Sequence, residues 1–417
     1  MLDIFNIFGI FNLIICILTF FIIRKKFTIS SFLFFGFIGL SIYSIPIFLD
    51  ATRPMYFLGD ELASIKKPTL HSKFIYFLFW VGFLASVIFS KDLKMKNKKK
   101  EGLNTYLKQF KIVCEIYTIL YFSYFFLLDG GNYIILLLGR WLYLLLGIIY
   151  CIERNYLKLS IIILILFVYS IILPDRTLIV ISFFTFLPVI LYHNKDFLKK
   201  YKFFLINLIF LLVIIIIFNK LFYNVSIKYG ITFSFERYNL TYFTNVLKAM
   251  QFSFEPLMIH AHTEEALKNN NFETFMYIRS MLANFLIVPE YFGLDNDYYY
   301  QNLRENIPID LGYGRAGSIF ASTFLAFSYP GLLFFGFMQG YILIYFGNYI
   351  KKSNSTLMIL YTAITGLLIV YLYRNSLDNF LSFIKQLLIL YFFLKIQTDI
   401  IFSSQNLSRN KKLTFKK

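Results

Sequence analysis

The feature that most constrains this chain is its punctuation: long apolar runs, each close to bilayer length, separated by short clusters of lysine and arginine. A helix needs about 20 apolar residues to cross a membrane, and in lipid every backbone polar group must be satisfied within the segment. Runs of this kind predict spans near 3–23, 27–49, 74–90, 112–128, 133–151, 157–173, 177–193, 203–219, 331–350, 356–373 and 380–397. The expected architecture is all-α, a polytopic membrane helix bundle of about eleven spans. Composition agrees: 58% of the 417 residues are hydrophobic and 15% charged, against about 25% charged in soluble proteins. The first run has no basic n-region and no small-residue cleavage site, so it reads as a retained helix rather than a cleaved leader.

The net charge of +18 would suit nucleic acid if it gathered on one face. Instead it is parcelled into "RKK" (24–26), "KDLKMKNKKK" (91–100), "KDFLKK" (195–200), "KK" (351–352) and the tail "RNKKLTFKK" (409–417). Alternate inter-span segments carry these blocks, the pattern of the positive-inside rule, so they mark the cytoplasmic side and no nucleic-acid partner is expected. Residues 129–132, 174–177 and 374–379 then fall outside. So does the long polar interval 220–315, whose eight basic and ten acidic residues nearly balance.

The chain divides into an N-terminal transmembrane bundle (1–219), a large outer loop (220–315), a C-terminal transmembrane segment (316–397) and a basic cytoplasmic tail (398–417). A loop of that length without structure would be unusual. "HTEEALKNN" and "ETFMYIRSMLANFLI" have helical, amphipathic patterns and predict short helices on the outer face. Cys16, Cys114 and Cys151 sit in or beside apolar runs without metal or redox spacing. No nucleotide-binding glycine loop, HExxH or GxSxG is present.

A more specific pattern begins after the loop. "GYGRAGSIFASTFLAFSYPGLLFFGFMQGYI" (312–342) sets a glycine-rich lead-in before a short small-residue helix, an aromatic-Pro-Gly corner, and a span containing "GFMQG". "YRNSLDNFLSFIKQ" (373–386) follows one span later, "PDRT" (174–177) comes after a central span, and Val288-Pro289 closes "FETFMYIRSMLANFLIVPEYFG". In this order the chain resembles the Wzy-type polymerases of bacterial O-antigen and capsule repeat units. The resemblance covers roughly 170 to 390 by motif and the remainder by hydropathy. The corner departs from the family's commoner Asn-Phe-Gly.

The resemblance implies a membrane glycosyltransferase fold, GT-C-like in type, in the bacterial cytoplasmic membrane with its active site outside. It implies an undecaprenyl-pyrophosphate-linked oligosaccharide as substrate, no metal and no cofactor, and a chain-length regulator protein as a candidate partner. A flippase or other transporter, and an O-antigen ligase, are the alternatives. Transporters favour paired repeats and helices broken near the midplane, and neither pattern is evident here.

The implied reaction expels a lipid pyrophosphate, whose charge arginine can bind bidentately. Arg176, Arg315 and Arg374 sit at the outer ends of expected spans, with Arg279 and Arg140 as further candidates. Bland readings stand beside them: Arg176 pairing with Asp175, Arg374 with Asp378, Arg279 on a solvated helix face. An acceptor hydroxyl calls for a base, and His260, His262 and Asp310 are the candidates. Glu264, four residues after His260, would share its helical face and orient the imidazole. The alternative for each histidine is a polar residue on a water-facing loop.

Overall fold

A computed structural model describes residues 4–27, 31–50, 67–90, 105–127, 133–172, 177–193, 274–286, 289–294, 318–352, 355–374 and 377–414, with 256, 259, 260, 263, 264 and 267. Among the described residues every regular element is helical. In chain order these are α1 (Ile4–Lys26), α2 (Phe32–Tyr43), α3 (Ile45–Phe48), α4 (Leu70–Phe89), α5 (Thr105–Leu127), α6 (Tyr133–Glu153), α7 (Tyr156–Ile172), α8 (Thr177–His193), α9 (Thr274–Phe285), α10 (Ile319–Lys352), α11 (Thr356–Arg374) and α12 (Leu377–Thr414).

Five of them, α1, α4, α10, α11 and α12, are long and apolar enough to cross a membrane, and α2, α7 and α8 contain shorter apolar helices. The molecule is a helical membrane protein. Its peripheral helices turn bulky apolar side chains outward, such as Phe11, Ile17 and Phe21 on α1 and Phe392, Ile396 and Ile400 on α12. In water such surfaces would be a liability; in lipid they are the expected boundary. By contrast, 83% of the apolar window of α11 is buried, which makes it a central helix.

One core runs from Ile23 to Leu394 and joins the segments 1–219 and 316–397. Its tightest seam lies between α4 and α10. A Cβ at Gly82 would collide with the Leu333 carbonyl, one at Gly336 with the Phe79 carbonyl, and one at Gly340 with Ser86 Oγ. The "GFMQG" sequence thus acts as a small-xxx-small motif that lets two backbones touch, where dispersion rather than the hydrophobic effect holds helices together. Helix α4 is anchored at the other extreme by Lys26, whose Nζ donates to the carbonyls of Val87 (3.3 Å) and Ile88 (2.7 Å). That cation sits against the negative pole of the helix. This contact, with the Arg24-Lys25-Lys26 end of α1, defines a basic end of the bundle; α4 and α10 both begin at the opposite end.

Three elements differ from the hydropathy reading. The expected span 27–49 breaks at Ser44, where Pro46 enters the first turn of α3; proline is suited to that position and has no N–H to give an earlier carbonyl. Helix α5 starts at Thr105 rather than 112, and α12 continues through the basic tail to Thr414. The expected corner before 331 is present: α10 is bent where Ser328 adopts φ 57°, ψ −157°, two residues before Pro330. The expected span 203–219 lies outside the described residues.

Candidate functional site

Helix α4 starts with Thr69, whose hydroxyl accepts from the Ser72 N–H at 3.2 Å. The first turn of a helix presents N–H groups with no partner inside the helix. Here the long polar interval supplies one. Glu264 Oε1 accepts from the Thr69 N–H at 2.8 Å and from the Ser72 hydroxyl, and Oε2 accepts from the Thr69 hydroxyl at 2.8 Å. A carboxylate at a helix N-terminus also complements the dipole. Burial works against charge on Glu264, but the contacts with His260, then Ser72, then the Thr69 N–H outweigh it and lower the carboxyl to about 2.

One helical turn back, His260 Nε2 lies 3.3 Å from Glu264 Oε1. The ring is fully buried, and neither nitrogen forms a well-directed hydrogen bond among the described residues. The water-facing reading of His260 is therefore corrected. Pro256, Ile259, His260, Thr263, Glu264 and Leu267 are helical, fall at the spacing of one helical face, and are buried or half-buried.

Two further elements meet His260. Tyr76 of α4 presents its ring edge-to-face at 5.5 Å and stacks on Phe320, in the first turn of α10, at 3.9 Å. Phe320 stacks on Tyr373 near the end of α11, and Tyr373 on Tyr43 of α2. Thr263 Oγ1 lies 2.6 Å from the hydroxyl of Ser318, which caps α10 by accepting from the Ala321 N–H. The start of α4 thus touches the buried imidazole, the start of α10 meets its segment through Ser318, and the end of α11 joins the group through Phe320. Helix starts favour anions.

This places the candidate residues as follows. His260 lies in the site. Arg374 follows Tyr373 as the last residue of α11. Arg315, three positions before Ser318, lies outside the described residues, as do His262, Asp310 and Arg176. Thr177, next to Arg176, opens α8, which packs antiparallel to α11 with Thr185 against Gly366. Each contact residue is eight positions from its helix end, so Thr177 and Arg374 stand at one level. The start of α8, the start of α10 and the end of α11 lie at the same end of the bundle, where Phe320 stacks on Tyr373.

Arg140 and Arg279 are placed elsewhere. Arg140 sits inside the bundle, about two turns into α6, where Nη2 donates to Gln386 Oε1 at 3.2 Å and the guanidinium stacks on Phe383 at 4.7 Å and Trp141 at 5.1 Å. Trp141 Nε1 donates to the same oxygen at 3.1 Å. Arg279 donates to the carbonyl of Gly293 and fixes the turn after α9. Lys385 Nζ, donating to the Leu286 carbonyl at 2.8 Å, ties α9 to α12.

Thr69, Ser72, Tyr76 and Ser318 were not singled out from sequence. "PTLHS" (68–72) carried a signal, a Thr three residues before Ser at the start of an apolar run. No family model matches the chain, and comparison with curated proteins and with solved structures found no match either.

Proposed function

We propose that the protein polymerises oligosaccharide repeat units carried on a lipid pyrophosphate, at the outer face of the bacterial cytoplasmic membrane. The observation that carries this reading is the buried His260, paired to Glu264 where two helix starts and the end of α11 meet. The proposed topology has about eleven spans, with the basic clusters inside and this end of the bundle outside. The glycosyltransferase fold is read as GT-C-like.

In the proposed reaction, a hydroxyl of the acceptor unit attacks the anomeric carbon of the donor. The new glycosidic C–O bond forms as the bond to the pyrophosphate oxygen breaks, and the electron pair leaves with the phosphate. His260, with Nε2 toward Glu264, is the first candidate to accept the hydroxyl proton, at Nδ1, once substrate binding exposes the ring that is buried in this structure. Glu264 orients the imidazole. Arg176, Arg315 and Arg374 neutralise the departing pyrophosphate. His262 and Asp310 are the alternative bases.

Deletion of the gene is the test. A polymerase mutant displays one repeat unit per lipid acceptor. No displayed repeat at all would identify a flippase, and accumulation of long chains on the lipid carrier a ligase. The arginine clamp makes the reaction metal-independent, so polymerisation in isolated membranes continues in strong chelator; loss restored by one specific divalent ion would overturn that part.

A further inference from the structure

At the basic end of the bundle, α2, α8 and α10 leave a shallow crevice open to the surroundings. Phe32, Val189 and Leu343 make its walls apolar, and Ser31, Tyr192 and Asn348 add polar groups to the lining. Gly347 is the informative residue. The glycines at 336 and 340 on the same helix are pressed against α4, yet a Cβ at Gly347 would meet nothing nearer than Phe32 Cδ2, at 3.9 Å. This glycine opens space instead of closing a helix contact, in a bundle whose other helical glycines mostly touch a neighbour.

The charge beside the crevice indicates what fills it. Phe27, which lines the crevice, continues the last turn of α1, with its N–H bonded to the Ile23 carbonyl at 2.8 Å. Arg24, three residues earlier and so on the same face, is exposed, as is Lys25. Lys26 is spent on the end of α4. An apolar slot beside exposed cations has the chemistry of a lipid with a long chain and a negative headgroup.

We infer that this crevice holds an acyl chain of an anionic phospholipid, with the headgroup phosphate at Arg24 and Lys25. The site is independent of the proposed polymerase chemistry and lies at the other end of the bundle from His260.

The test uses the full chain purified in a neutral maltoside detergent. Phosphatidylglycerol or phosphatidylcholine with matched acyl chains is added, and bound lipid is counted by native mass spectrometry. The wild type retains phosphatidylglycerol in preference to phosphatidylcholine. Gly347→Phe fills the slot and removes the retained lipid, while Gly347→Ala keeps it. Replacing Arg24 and Lys25 together by Gln weakens phosphatidylglycerol binding about thirtyfold and leaves phosphatidylcholine unchanged. Should Gly347→Phe fail to fold, the charge variant decides the question alone. Equal retention of the two lipids by the wild type, undiminished binding in Gly347→Phe, or displacement of phosphatidylglycerol by a polyprenyl phosphate would each overturn the proposal.

Discussion

Two polar clusters in this protein look alike in composition and differ in how well they are satisfied. Where α5, α6 and α7 meet, Lys111 pairs with Glu153 at 2.7 Å and Lys158 with Glu115 at 2.9 Å, and the Tyr150 hydroxyl donates to Glu115 at 2.8 Å. Each carboxylate has its cation and water can reach the edges. Around His260 the charge of Glu264 is equally well matched, yet the imidazole at the centre is sealed from solvent with both nitrogens poorly served. The first cluster clips helices together. The second keeps a buried imidazole in a dry, imperfectly bonded state, which costs stability.

Substitutions can sharpen that contrast. The largest effect is expected at the sealed cluster: His260→Gln lowers polymerisation about a hundredfold or more while the protein stays at normal levels in the membrane. Arg176→Lys does the same, about 2–4 kcal/mol of transition-state stabilisation, because lysine supplies charge without the fork. Single-repeat products assayed beside protein abundance check both. Normal chain lengths in Arg176→Lys would return that arginine to a plain loop residue.

An intermediate effect is expected at Glu264. Its carboxyl is lowered to about 2 in the folded protein, against an ordinary value of 4.5. A depressed carboxyl contributes stability that is fully present above the unfolded value and is lost as pH falls through the folded one. Thermal unfolding in detergent therefore stays level from neutral pH to about 4.5 and declines between there and about 2 from this group. Glu264→Gln removes that part of the decline and lowers stability near neutrality by at most about 3 kcal/mol. A Glu264→Gln profile that falls as steeply as wild type over this window counts against the assignment.

The smallest effect belongs to the satisfied cluster. Lys158 is 48% exposed on its side chain, and exposed pairs contribute about 0–1 kcal/mol. Lys158→Gln should shift the melting temperature little and leave product length unchanged. If it shortened products as His260→Gln does, the distinction between the two clusters would fail.

The sequence made some of this legible. Apolar runs located α1, α4, α7, α8, α10, α11 and α12 because hydropathy and helix length are local properties. It did not show the break at Ser44, since an apolar run reads the same on either side of a bend and only Pro46 marked the place. The pairing of His260 with Glu264 was readable, being one turn of helix. The partners that bury the pair were not: Thr69 and Ser72 lie 195 and 192 residues away from Glu264, and no periodicity encodes such a meeting. For the same reason Arg140 was foreseeable as an inward arginine, while Gln386, 246 residues distant, was not foreseeable as its acceptor.

The long reach of Glu264 has a consequence for how the protein is made. Helix α4 is synthesised 195 residues before the carboxylate that completes its first turn. At ~5–20 residues per second it waits roughly 10–40 s in the membrane with that turn served only by its own threonine and by water. During that interval the nascent chain displays an unfinished helix end, open to any passing acidic group. The closing of that end reports that the chain has been synthesised past residue 264 and folded back.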